Sequence, residues 1–373
     1  MIGRTSPAEI LRALVAIPTP SSFSNIPLLQ WVRDFLEVRG WRVEMLPYQD
    51  DAGVEKANLM ARPGGHRMND FIDLAFVCHT DTVPYSADWA EALKLEERNG
   101  QLHGCGSCDV KGALACFLAA VERLGSVRPL HAVALILTAD EEIGCKGMER
   151  LLSGTRLQIG SAIVSEPTSL RAGIAGKGYG LARITVTGRD AHSAFPHQGV
   201  SAISIAARLI ARIEELPGST RTDALFDPPH TTVNIGMIDG GTAKNIIPGR
   251  CAFLVEWRPI PGDGQASMIG LLTEIVAAAQ KLDRRAEIAM EILRSEPGFA
   301  SIAAGVLQNR LAALLPGEPT GISFGSEASR IARIAQEVIV IGPGDMRTAH
   351  CDRECVPVAE LELWTEALRS LLF

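Results

Sequence analysis

Two kinds of hydrophobic pattern alternate along this chain. Short continuous apolar runs, Asp73-Leu-Ala-Phe-Val-Cys78, His131-Ala-Val-Ala-Leu-Ile-Leu-Thr138, Ser161-Ala-Ile-Val-Ser165 and Glu337-Val-Ile-Val-Ile341, have the length and texture of strands buried on both faces. Between them lie stretches of helical spacing. Leu28, Trp31, Val32, Phe35 and Leu36 recur on one helix face, with Gly40 placed to end that helix before a strand over Trp41-Arg-Val-Glu-Met-Leu46. An apolar helix is predicted from Ala113 to Leu124 and a terminal one from Val358 to Leu372. At the start, Ser6, Pro7 and Glu9 form the N-cap, N1 and N3 of a capping box. Strands that alternate with helices in this way argue for an α/β fold with a mainly parallel sheet.

The texture changes from about Gly173. Gly180-Leu-Ala-Arg-Ile-Thr-Val-Thr187 alternates with period two, as a half-exposed antiparallel strand does. A helix from Ala202 to Leu216, strands Thr231 to Ile238 and Arg250 to Trp257, a helix from Ala266 to Leu282 and a strand near Ala286 to Leu293 complete a βαββαβ order. That order is ferredoxin-like and predicts an α+β domain over residues 173–294, inserted into a discontinuous domain of residues 1–172 and 295–373. Pro217 to Pro229 reads as a long loop or lid edge.

Composition narrows the class. With 47% hydrophobic and 21% charged residues and a net charge of -7, the 373-residue chain can bury a large core but has no basic block suited to nucleic acid. No apolar run is long enough to span a membrane and no signal segment is evident, so a cytoplasmic location is expected. The eight cysteines, 78, 105, 108, 116, 145, 251, 351 and 355, are scattered and read as free thiols.

Chemistry collects where the apolar runs stop. His79-Thr-Asp81 follows the first, Asp140-Glu141-Glu142 the second and Glu166-Pro-Thr the third; Asp109 closes a glycine-rich loop and His350 follows the last strand. In an open α/β sheet, ligands bind at the carboxyl ends of strands. Two imidazoles and several carboxylates at one such edge suit Zn²⁺, Co²⁺ or Mn²⁺, whereas each acid alone reads equally well as a solvated loop residue.

The ordered motifs His79-Thr-Asp81-Thr-Val-Pro84, Gly104-Cys-Gly-Ser-Cys-Asp109-Val-Lys-Gly112, Thr138-Ala-Asp-Glu141-Glu142, Glu166-Pro-Thr-Ser and the late His350 resemble the dinuclear metallohydrolase family of acetylornithine deacetylases, succinyl-diaminopimelate desuccinylases, carboxypeptidases and aminoacylases. The resemblance covers essentially the whole chain and lies nearest the acetylornithine deacetylases. It implies two divalent ions, Zn²⁺ first, with Co²⁺ or Mn²⁺ as alternatives. His79 and Glu166 would hold one, Glu142 and His350 the other, and Asp109 would bridge them. Asp81 would orient His79, and Glu141 would be the general base. It further implies a cis Asp109-Val110 peptide, and a homodimer through the inserted domain in which His192 serves the partner's site. Asn245 and Arg258 would grip the substrate carboxylate. Glu327 would face the cationic side chain of an N-acetylornithine-like substrate. An N-acyl amino acid is the expected substrate, and desuccinylases, aminoacylases and carboxypeptidases are the rival enzymes. The rival outside catalysis is a metal-free binding protein on the same fold.

Two positions depart from the family pattern, Cys105 standing where an Arg is usual and Val110 where a Met is usual. Cys105-x-x-Cys108 also admits a redox or zinc-ribbon reading, though Cys351 and Cys355 make no convincing second pair.

Overall fold

The structure is a computed structural model that describes residues 5–68, 70–125, 132–216, 221–302 and 304–372. Two compact units emerge, one of Met1–Ile174, Ser301–Thr320 and Ser326–Phe373, the other of Ala175–Ala300 with Gly321–Gly325.

In the first unit, a sheet runs in the order Trp41–Gln49, Glu55–Pro63, Val133–Thr138, Ile72–His79, Ile159–Val164, Ala335–Val340. The last four strands are mutually parallel and the first two are antiparallel. The parallel strands therefore end on one edge, with His79 in register with Thr138. The helix Lys111–Leu124 packs between Pro7–Val15 and Val358–Leu372 and is buried on nearly every face, which explains its unbroken apolar sequence. Its Phe117 stacks on Phe76 of the central strand at 4.7 Å between ring centres. The first helix begins as its sequence predicts: the Glu9 N–H donates to Ser6 Oγ at 3.2 Å and the Ser6 N–H to Glu9 at 2.7 Å.

One long strand has no counterpart in the hydrophobic pattern. Glu55–Pro63 is buried along almost its whole length although it carries Lys56, Asn58 and Arg62. The helices Lys146–Gly154 and Val306–Leu314 were likewise not evident from the pattern.

The second unit has the βαββαβ order, and its sheet runs Thr232–Gly240, Arg250–Arg258, Tyr179–Thr187, Glu287–Glu296, antiparallel throughout. This is the ferredoxin-like strand order. Ala182, Ile184 and Val186 alternate into a core shared with Phe253, Val255 and Trp257 under the helices Ala202–Glu214 and Gln265–Leu282. Gly180 is required beside Trp257, because a Cβ there would lie 1.8 Å from the indole. Of the loop expected over 217–229, residues 217–220 lie outside the described residues. The remainder is irregular and tethered by the buried Lys177, whose Nζ donates to the carbonyls of Pro228 and His230 at 2.8 Å each. Among the described residues no helix is long and apolar enough to cross a membrane, and all eight cysteines are free thiols.

Candidate metal centre

The parallel edge assembles the residues that the strand ends supply. The strand Ile72–His79 finishes on His79, its neighbour Val133–Thr138 leads into Asp140-Glu141-Glu142, Ile159–Val164 leads to Glu166, and Ala335–Val340 feeds the loop carrying His350. Asp109 arrives from the loop before the buried helix. Ligand atoms of His79, Asp109 and Glu142 lie within 4.8 Å of one another.

Asp109 sits between the two imidazoles. Its Oδ1 is 3.1 Å from His79 Nε2, its Oδ2 is 3.1 Å from His350 Nε2, and His350 Nε2 is also 3.2 Å from Glu142 Oε1. One carboxylate thus presents a separate oxygen to each imidazole, the arrangement a bridging ligand requires. The Asp109–Val110 peptide is cis.

The electrostatics are those of a site built for cations. Burial, the Asp109 carboxylate and other nearby acids hold Glu166 well above the usual carboxylate range. Burial pushes Glu141 up to about 8, with Glu142, Asp81 and Glu327 adding to the rise against the opposing pull of His79. Asp109 is held low, its hydrogen bonds to His350 and His79 outweighing burial. His350 is pushed up to about 10 by Asp109 and Glu142. Such opposed shifts in one cluster mark carboxylates that lack a sufficient counter-charge.

The role expected of Asp81 is divided. His79 Nδ1–H donates to the Asp81 main-chain carbonyl at 3.0 Å, leaving Nε2 as the nitrogen that faces Asp109, while the Asp81 carboxylate is farther away at 3.7 Å. That carboxylate instead accepts the N–H groups of Glu141 at 3.1 Å and Glu142 at 3.2 Å, and the Ser21 hydroxyl at 2.7 Å. The backbone of the Glu141-Glu142 pair is thereby fixed to the His79 turn. On the other side, Cys145 Sγ–H donates to Glu141 Oε1 at 3.3 Å.

Glu354 passed unread in the sequence. It is 2% exposed and accepts three main-chain N–H groups, from Gly106, Cys108 and Asp109, each at 3.0 Å. It fixes the loop that delivers Asp109. The only sequence signal is an acid four residues beyond His350, and that spacing alone implies no such role. Beside His350 a cavity of about 220 Å³ opens, lined by Tyr85, Trp89, Cys105 and Cys351 among others.

Peptidase family M20/M25/M40 matches residues 75–373 of the chain. The chain belongs to this family. The acetylornithine deacetylase of Myxococcus xanthus is 41% identical over 354 residues, covering 94% of this chain and 92% of that protein. That of Proteus mirabilis (strain HI4320) is 30% identical over 376 residues, covering 98% and 95%. Among solved structures, a tripeptidase from Staphylococcus aureus subsp. aureus Mu50 superimposes with a TM-score of 0.79 at 22% identity, covering 100% of this chain and 98% of that one. A Bacillus subtilis protein described as a dinuclear metal binding peptidase from the M20 family gives 0.71 at 13% identity, covering 98% and 96%. These two matches concern the fold alone.

Against the M20 pattern, three placements matter. Cys105 and Cys108 are both buried, and burial pushes the Cys105 thiol up to about 11 and the Cys108 thiol well above its ordinary range. Neither is a ready thiolate for metal or redox work. Glu327, expected to face a substrate cation, is 1% exposed, and its Oε2 accepts the Thr138 hydroxyl at 2.9 Å. Its other oxygen, Oε1, accepts no hydrogen bond from the described residues, and the carboxylate lies within electrostatic reach of His79 and Asp81. In the second unit, His192 and Asn245 are exposed neighbours, since the Ser193 N–H donates to the Asn245 carbonyl at 3.0 Å and His192 pairs with Ile246. Arg258 lies over the Tyr179 ring at 4.3 Å and pairs with Glu256 at 2.9 Å.

Proposed function

We propose that this M20 enzyme removes the acetyl group from N2-acetyl-L-ornithine, releasing acetate and L-ornithine in arginine biosynthesis, and that it does so with two divalent ions, Zn²⁺ first. The observation that carries the two-ion reading is Asp109, whose oxygens face one imidazole each. The identity to proteins named acetylornithine deacetylase supports the substrate. His79 and Glu166 would hold one ion and Glu142 and His350 the other, with Asp109 shared. The donor set fits: neutral imidazoles and carboxylates are the ligands that borderline divalent ions take.

When bound, such ions would acidify a water molecule and polarise the acyl carbonyl. The chain's own residues would perform the remaining work. Glu141, left out of the ligand set, would take the proton of the attacking water and deliver it to the departing amine as the carbon–nitrogen bond breaks. The Asp81 carbonyl would keep His79 in the tautomer that offers Nε2, and the Asp81 carboxylate would hold Glu141 and Glu142 in register. Arg258, with a planar fork suited to a carboxylate, would bind the amino acid end together with Asn245. His192, exposed at a short strand, would serve the site of a second copy in a homodimer.

Steady-state rates on acetylornithine, acetylmethionine, acetylcitrulline and succinyl-diaminopimelate test the substrate. A preference for acetylornithine is expected, and a clear preference for succinyl-diaminopimelate would overturn the assignment. Glu327 would face the cationic side chain, so acetylcitrulline should be the poorer substrate; equal rates on the two would spare the deacetylase but remove that role.

A further inference from the structure

The buried strand Glu55–Pro63 meets the catalytic edge in a way that the reaction chemistry does not require. Lys56 and Asn58, two residues apart, lie on one face of it. Lys56 is 1% exposed, and its ammonium is hydrogen-bonded to Asp140 Oδ1 and to the Ser21 carbonyl. Tyr48 is the direct cross-strand partner of Lys56, and its hydroxyl donates to the other Asp140 oxygen, Oδ2, at 3.0 Å. Both oxygens of a fully buried carboxylate are therefore taken by one cross-strand pair. Asn58 holds the far end of the same loop, its Nδ2 donating to the Gly147 carbonyl at 2.8 Å.

Asp140 immediately precedes Glu141 and has φ of 60°, in the left-handed region where a residue with a Cβ is strained. That turn brings the next two N–H groups, of Glu141 and Glu142, onto the two oxygens of Asp81. Ser21 closes the circuit, since its carbonyl receives Lys56 while its hydroxyl donates to Asp81 at 2.7 Å. Asp tolerates that region better than most residues, but its side chain is then free to turn unless it is held. Here the ammonium and the phenol hold its side chain from one side while Asp81 holds the following backbone from the other.

We infer that Lys56, with Tyr48, is a positioning residue of the reaction: by clamping Asp140 in its left-handed turn it sets where the Glu141 and Glu142 carboxylates stand. The inference rests on the reading of Glu142 as a ligand and Glu141 as the base, and the test keeps the two apart. The metal-free protein carrying Lys56→Met, Tyr48→Phe or Glu142→Gln is titrated with Co²⁺, followed by visible absorption, well below each variant's unfolding temperature. Turnover of acetylornithine is measured in parallel. Lys56→Met should lose about 10–100-fold in Co²⁺ affinity or kcat, as loss of a residue supporting a ligand does. KM should stay within about two-fold, because nothing in the clamp touches the substrate. Tyr48→Phe, which leaves the ammonium–carboxylate pair intact, should show the same pattern at smaller size, and it decides the matter if Lys56→Met does not fold. Normal Co²⁺ spectra and kcat in both variants, with only a lowered melting temperature, would reduce the clamp to a structural brace and overturn the inference. Unaltered Co²⁺ binding in Glu142→Gln would instead defeat the metal-site reading itself.

Discussion

Glu354→Gln isolates the contest between burial and hydrogen bonding at the loop that carries Asp109. Burial and the Asp109 carboxylate push Glu354 up, three main-chain N–H groups pull it down, and in the metal-free chain the balance stands at about 7 against an ordinary value of 4.5. A carboxyl whose pKa is raised on folding binds its proton more tightly in the native state. Stability is therefore lost as pH rises from the unfolded value through the folded one. A displacement of that size corresponds to a cost on the order of 3 kcal/mol once the group is charged. Glutamine has the shape of the protonated acid and never ionises. In metal-free protein near pH 5 the variant should be the less stable by about 1 kcal/mol, since its NH2 cannot accept a main-chain N–H as both oxygens of the acid do. Near pH 8 the variant should be the more stable by roughly 1–2 kcal/mol, within the range that denaturant midpoints resolve. Chemical unfolding at the two pH values measures the difference directly. If the deficit of the glutamine variant instead grew between pH 5 and pH 8, the N–H donors would outweigh burial and the carboxylate would be the favoured native form.

Two further perturbations test the division of labour. Glu141→Gln should keep its metal content yet lose about 10²–10⁴ in turnover, because it removes a proton acceptor and no ligand. Glu142→Gln should lose metal, and equal metal loss in the two variants would refute the assignment. His192→Ala and Glu141→Gln, each inactive alone, should regain activity in mixed dimers if His192 acts across the dimer, and no recovery after verified subunit exchange would exclude that arrangement.

How much of this was legible depends on what kind of residue carries the information. Strands buried on both faces announce themselves by composition, so the runs ending at Cys78, Thr138 and Val164 and the chemistry just beyond them could be read directly. The ferredoxin-like unit was legible for a different reason: one face of its sheet is covered, and Tyr179–Thr187 keeps the alternation that follows. Glu55–Pro63 defeated the same reasoning because Lys56, Asn58 and Arg62 are polar yet buried: Lys56 and Asn58 find partners 84 and 89 residues away, and Arg62 donates to the carbonyls of Arg67, Asp70 and Phe71 just beyond the strand. Glu354 was hidden likewise, since its three donors lie about 250 residues earlier. Ligands sit at strand ends and leave a motif, whereas the groups that hold them in place are fixed by tertiary contacts and leave none.

The charge balance of the edge bears on the number of ions. Among the described residues, Asp81, Asp109, Glu141, Glu142 and Glu166 converge with His79 and His350 as the imidazoles that oppose them, and Asp81, Asp109 and Glu166 are at most 5% exposed. Without a counter-ion, burial holds Glu141 and Glu166 above the usual carboxylate range, and Asp109 holds both imidazoles up, directions that favour retained protons. A single divalent ion would neutralise two of the five carboxylates and leave a buried surplus that must still hold protons, including one on Glu141, where a proton would silence a base. Two divalent ions neutralise four, leave both imidazoles as neutral ligands, and allow Glu141 to stand ionised beside them. The same count predicts that an enzyme loaded with one ion should need a higher pH to ionise Glu141 than the fully loaded enzyme. An acid limb of the kcat profile that did not move between one and two equivalents of metal would contradict the argument.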